Sequence, residues 1–180
     1  MLLVLDNGSV FTQNLIDFLQ TLPQDYKRIN SNDFEISDVE KYDSFILSGR
    51  RKNDSKMNAL NSKIIKHAAS EKKPLLGICY GAEMLALTMG GTIKKMNALH
   101  RGKEDIEIIH SNPLCEGKIT VFESHNYEIS KISDSFETLA QSKICKNELI
   151  HFKNSRIFGT QFHPEMSIDG NKLIEKFVSL

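Results

Sequence analysis

The chain has 180 residues and equal numbers of basic and acidic side chains, 23 of each, so no net field points to a nucleic acid or an anionic membrane. A hydrophobic share of 40% and a charged share of 26% fit a globular chain long enough for one substantial core. No apolar run approaches the ~20 residues that cross a bilayer, and three cysteines without CxxC spacing argue against a disulfide framework or a zinc site and for a reducing, cytoplasmic setting. The opening MLLVLDNG has no basic flank and is interrupted by Asp6, which makes it an edge of the core and not a signal peptide.

Leu2–Leu5 is a short apolar run ended by Asp6-Asn7-Gly8, a buried strand and its turn. Phe11, Leu15, Phe18, Leu19 and Leu22 recur at helical spacing until Pro23. Ser44–Leu47 is a second buried strand broken by Ser48-Gly49, and a polar, basic loop follows. Met57, Leu60, Ile64, Ile65 and Ala68 make the next amphipathic helix before Pro74, Leu75–Ile78 a third strand and Ala82–Met89 a third helix. Strand and helix in this alternation predict a parallel sheet covered on both faces. Beyond Gly90-Gly91 the rhythm changes. Ile106–Ile109, Ile119–Glu123, Phe136–Gln141, Glu148–Phe152 and Arg156–Phe162 are strand-like, and a final helix carries Ile168, Leu173, Ile174, Phe177 and Val178. Residues 1–180 are therefore expected to form a single α/β domain: an open, mostly parallel sheet with flanking helices and an antiparallel addition. In such sheets, sites form at the carboxyl ends of the strands.

Cys79 lies at one of these ends, between Gly77 and Gly81, where a strand turns into a helix. A thiol there is expected in a strained, exposed pose. The helix N-terminus favours its thiolate and offers N–H groups, that of Tyr80 first, to an oxyanion. A buried, inert thiol would leave the same motif. A nucleophile needs a base and the base an orienting group. Of six histidines, His67 sits among lysines of a helix and is expected to be solvated, while His100, His110 and His151 have no companion. His163 ends an apolar strand in FGTQFHPEM. Pro164 biases it to extended backbone, where Glu165 would share its face and hold its tautomer. A surface turn would account for the tripeptide equally well.

Taken together, G-x-C-x-G on a strand–helix elbow and Q-F-H-P-E on a later strand end resemble the class I (triad) glutamine amidotransferase family, over nearly the whole chain. VLDNG is similar to its opening strand and turn, FILSG to the strand before its oxyanion loop, GICYG to its nucleophile elbow, ESHNYE to a substrate-contacting loop and FGTQFHPE to its base and orienter. The resemblance implies a flavodoxin-like fold and a reaction. Cys79 would attack the side-chain amide of L-glutamine, with His163 as base and Glu165 as orienter. Backbone N–H groups of Gly49, Arg50 and Tyr80 would form the oxyanion hole, and Glu83, Ser124, His125, Asn126 and Tyr127 would contact substrate. No metal or cofactor is implied in this chain; ATP and magnesium would act on a partner synthase that receives the ammonia.

LDNG, ILSG, GICYG and ESH look most like the glutaminase subunit of GMP synthase of the stand-alone archaeal type, whose partner is an ATP-pyrophosphatase synthetase subunit. FTQNLIDFL and GNKLIEKF are similar instead to the glutaminase subunits of anthranilate and aminodeoxychorismate synthases, but their P-G-P-G loop and CLGHQ elbow are missing. A non-catalytic or regulatory relative is a further alternative. The chain departs from the family pattern twice. The oxyanion loop reads Gly49-Arg50-Arg51-Lys52 where glycine is usual. Were positive φ required there, Arg50 would disfavour the competent loop until a partner arranged it. Glu83 stands where C-x-G-x-Q has glutamine, and a carboxylate cannot donate a hydrogen bond.

Overall fold

The computed structural model describes residues 1–180. Nine strands form one mixed sheet, in the order β2-β1-β3-β4-β9-β8-β7-β5-β6. Its parallel half is β1 (Leu2–Asp6), β2 (Tyr26–Asn30), β3 (Ser44–Leu47), β4 (Leu75–Ile78) and β9 (Ile157–Thr160). The antiparallel half adds β5 (Thr92–Ile108), β6 (Lys118–Lys131), β7 (Phe136–Gln141) and β8 (Leu149–Phe152). The expected fold class holds.

Four helices cover the sheet: α1 (Thr12–Leu19), α2 (Ser55–Ser70), α3 (Tyr80–Thr88) and α4 (Ile168–Val178). Alternation along β1 sorts its side chains between two cores. Leu2 and Val4 pack with Leu15 and Leu19 of α1 and Leu173 and Phe177 of α4. Leu3 and Leu5 pack with Ile64 and Ala68 of α2 and Leu85 of α3. Burial on both faces explains why β1, β3 and β4 read as unbroken apolar runs. No helix is long and apolar enough to cross a membrane.

Two elements escape the sequence pattern. β2, with exposed Lys27 and Arg28, is an edge strand, where charge is tolerated and blocks further pairing. β5 is much longer than the expected Ile106–Ile109. It pairs with β6 from Thr92 onward but breaks register between Lys95 and His100, so Met96–Leu99 bulge out of the ladder. A solvated hairpin of this kind needs no apolar run, and its charged residues hid it.

Candidate active site

Because β1, β3, β4 and β9 run parallel, their carboxyl ends share one edge of the sheet. The turns after them bring together Asn7, Gly49, Cys79 and His163. Cys79 has φ 49° and ψ −101°, backbone that non-glycine residues rarely adopt. Its N–H donates to the Thr160 carbonyl at 2.7 Å and its carbonyl accepts from Glu83 N–H at 2.9 Å. The two flanking glycines make the turn possible. A Cβ on Gly81 would stand 2.3 Å from the Leu47 carbonyl oxygen, and one on Gly77 would stand 2.5 Å from the Gly81 carbonyl carbon. The strain expected at this thiol is present; the exposure is not, since Cys79 is 8% exposed.

His163 Nδ1–H donates to Glu165 Oε1 at 2.9 Å, with both side chains buried. This leaves Nε2 for the thiol. The geometry comes from a turn and not, as expected, from an extended segment: Pro164–Met166 is a single 3-10 turn that folds Glu165 back under the ring. The His163 N–H donates to the Phe122 carbonyl at 2.8 Å, and the Phe11 ring meets the imidazole edge-on at 4.6 Å. Burial opposes charge on His163, but the Glu165 carboxylate and the neighbouring Cys79 sulfur outweigh it and lift the imidazole well above its ordinary value. Burial pushes the Cys79 thiol up, while His163 pulls it down. Thiol and imidazole thus form one proton-sharing pair, with its positive end fixed by Glu165.

Gly49 packs against the same ring; a Cβ there would come within 3.0 Å of His163 Cε1. The loop it opens is tethered. Ser48 Oγ accepts the Asn7 N–H at 2.9 Å, the Asn7 side chain donates to the Ser48 carbonyl at 3.0 Å, and Asn61 of α2 completes a buried amide pair with Asn7. Arg50 forms an antiparallel bridge to Gly8. The positive-φ residues other than glycine are Lys72, Cys79 and Asn154. Arg50 is not among them, so in this conformation the loop carries no backbone strain at Arg50.

A pocket of ≈ 420 Å³ opens over the thiol. Cys79, Tyr80, Glu83, Arg50 and the run Ser124–Tyr127 line it, and the bulge contributes Leu99. A wider groove of ≈ 1140 Å³ along β5 and β6, lined by Lys103, Glu104, Lys118, Lys143 and other polar groups, shares no residue with it. ESHNYE is no loop, as had been expected, but the middle of β6, with Ser124 opposite Arg101 and His125 opposite His100. Arg50 and Glu83, the two departures from the family pattern, face each other. Arg50 Nη2 lies 3.9 Å from Glu83 Oε2, and its guanidinium carbon sits 4.5 Å over the Tyr80 ring.

Behind this wall lies a buried acid cluster. Glu123 and Glu148 are wholly buried. His125 Nδ1–H donates to the Tyr127 carbonyl at 2.7 Å, and its Nε2 is 3.0 Å from Glu123 Oε2. Burial pushes His125 toward its neutral form, and neither its Nε2 nor either Glu123 oxygen has a hydrogen-bond partner in the chain. Burial raises Glu148 to about 9 and Glu123 to about 7. Sequence reasoning passed over both. Glu123 stood inside the quoted ESHNYE, but a carboxyl next to Ser-His carries no sign of its burial. Of the other histidines, His110 and His151 are hydrogen-bonded, while His67 and His100 each bury an Nε2 that has no partner. His67 is not solvated but packs edge-on against Phe45 and reaches Glu40, His110 bonds the Thr138 carbonyl, His151 bonds Glu137, and His100 lies near Glu104.

The profile of class-I glutamine amidotransferases matches residues 3–179. This chain belongs to the class-I glutamine amidotransferase family. Among the curated relatives of this amidotransferase, a subunit of the glutamine-hydrolyzing GMP synthase of Thermoplasma acidophilum is 33% identical, over 98% of this chain and 90% of its own. The corresponding GMP synthase subunit of Methanocaldococcus jannaschii is 29% identical over 98% and 95%. A crystal structure described as a GMP synthase subunit from Thermoplasma acidophilum superposes with a TM-score of 0.88 at 30% identity, covering 99% of this chain and 92% of that one. A glutamine amidotransferase from Thermotoga maritima, 17% identical over 97% of this chain and 80% of its own, shares the fold with a TM-score of 0.79.

Proposed function

We propose that this amidotransferase is the glutaminase half of a two-subunit GMP synthase and that Cys79, His163 and Glu165 are its catalytic triad. The observation that carries the reading is a thiol on a positive-φ elbow, paired with an imidazole that Glu165 holds at 2.9 Å. Cys79 Sγ attacks the side-chain carbonyl carbon of L-glutamine as its proton passes to His163 Nε2. The tetrahedral oxyanion takes hydrogen bonds from backbone N–H groups of Tyr80, at the start of α3, and of the Gly49–Arg50 segment. His163 returns the proton to the leaving nitrogen, the C–N bond breaks, and ammonia departs from a glutamyl thioester. Water deprotonated by the same imidazole attacks the thioester, and glutamate leaves as the thiol is restored.

On this reading ATP and magnesium act on the partner, an ATP-pyrophosphatase synthetase subunit that carries the ammonia onto XMP. The relatives bear the name of that enzyme, and no feature of the pocket favours a chorismate-using partner. The test is amide-15N-labelled glutamine supplied with ATP, XMP and the synthetase subunit. Label in GMP that depends on both chains supports the assignment. Glutamine hydrolysis without transfer to XMP overturns the acceptor, and absence of hydrolysis in every mixture overturns the glutaminase reading.

A further inference from the structure

The pocket is lined by one acid, Glu83, and two arginines, of which Arg50 is the one that faces Glu83. Glu83 lies one helical turn beyond Cys79, on the same side of α3. Its side chain is 5% exposed, and that of Arg50 is 19% exposed. Their 3.9 Å separation exceeds hydrogen-bond length, so the two attract as charges but leave their donors and acceptors open. No N–H or O–H of the chain makes a short hydrogen bond to the Glu83 carboxylate. Gln161 Nε2 lies close enough to favour the ionised Glu83 carboxyl, yet it too is buried without a well-formed hydrogen bond. A buried carboxylate left in this condition is costly, which points to a ligand that completes it.

Arg50, by contrast, is already set in place. Its guanidinium lies over the Tyr80 ring and donates on one side to Asn53. Such a cation loses little freedom when it takes an anion. The ligand that suits both walls carries a cation and an anion on neighbouring atoms and a reactive group long enough to reach the thiol. An α-amino acid amide meets this description.

We propose that Arg50 and Glu83 together read the zwitterionic end of the substrate, with Glu83 accepting the α-ammonium and Arg50 binding the α-carboxylate while the side-chain amide extends to Cys79. This rests on the glutaminase reading and deepens it: two side chains that break the family pattern act as one specificity element. Burial holds the Glu83 carboxyl up while Arg50 pulls it down. A bound ammonium favours the ionised form further.

The experiment uses three ligands of equal reach: L-glutamine, glutaramate, which lacks the ammonium, and 4-aminobutanamide, which lacks the carboxylate. Binding to the Cys79→Ala chain is measured by calorimetry, and turnover by the intact chain is followed in parallel. The expected result is that Glu83→Gln weakens L-glutamine about tenfold or more, the scale of a charge-assisted hydrogen bond, yet leaves glutaramate unchanged. Arg50→Gln is expected to weaken L-glutamine and spare 4-aminobutanamide. Equal losses across the three ligands in either variant, or tighter glutamine binding by Glu83→Gln, overturn the proposal even if the intact chain hydrolyses glutamine. If the intact chain binds glutamine with this pattern and releases no ammonia, the zwitterion reading stands and the glutaminase reading falls. Failure of all three ligands to bind overturns the zwitterion site.

Discussion

Replacing Glu148 with glutamine should change how stability depends on pH more than it changes stability at any one pH. Burial is the main cause that holds Glu148 protonated to about 9, and the Glu123 charge adds to it; Glu123 itself is raised to about 7. In the unfolded chain both carboxyls titrate near 4.5. Between 4.5 and 9 the folded state therefore binds more protons than the unfolded state. The stability linked to the pair is complete below 4.5 and is lost progressively as pH rises through 7 and 9. With one excess proton between pH 7 and 9, the loss is about 1.4 kcal/mol per pH unit, on the order of 3 kcal/mol across that interval. Glu148→Gln removes the upper titration and keeps a side chain of the same size beside Glu123. Urea unfolding of both proteins from pH 6 to 9 gives the two slopes. His163 and Cys79 titrate in both and cancel in the difference. The variant should lose about 1.4 kcal/mol per pH unit less than the parent between pH 7 and 9. Parallel curves would refute the buried proton-sharing pair, whatever the offset between them.

Cys79→Ala should abolish ammonia release from glutamine and leave the unfolding midpoint near that of the parent; turnover at a near-parental rate would remove the nucleophile assignment. His163→Ala should lower kcat by about 10²–10⁴-fold, the usual contribution of a positioned base, and Glu165→Gln by less. The reverse order in steady-state kinetics would show that the roles of the two residues are wrongly divided. Gly81→Ala should cost on the order of 1–3 kcal/mol by overpacking, because its Cβ would meet the Leu47 carbonyl oxygen at 2.3 Å. A melting temperature equal to that of the parent would show that the elbow yields more easily than this contact implies.

The parallel half of the fold was legible in the sequence because its strands are buried on both faces and advertise it. The bounds expected for β3 and β4, Ser44–Leu47 and Leu75–Ile78, are the observed ones. The antiparallel half was legible in β7 and poorly so in β5, whose Thr92–Asp105 stretch is solvated and charged. At the site, Cys79 and His163 were marked by local grammar: glycines that permit an elbow, and a proline that follows an apolar strand. The acid cluster has no such grammar. Glu148 follows a charged stretch and Glu123 precedes Ser-His, and only the packing of β6 against its neighbours removes both from water. The facing of Arg50 and Glu83 was invisible for a related reason, since 33 positions separate them and only the pairing of β3 with β4 brings their turns together.

The distribution of strain decides how this site can be controlled. Cys79 bears the outlying backbone, a cost on the order of 1–3 kcal/mol, and its surroundings hold it there: the bond to Thr160, the first turn of α3, and two glycines that allow the close approach. The segment opposite it bears none. Ser48 is locked into the Asn7–Asn61 network, and Arg50 lies in ordinary backbone bridged to Gly8. What remains free to respond is side chain and hairpin. Arg51 is exposed and lines the pocket, and Leu99 lines it from a bulge outside the β5–β6 ladder. Control through these groups would change access to the thiol and leave the geometry of the Cys79 elbow untouched, because a ligand or partner shifts only those states with which it makes different contacts.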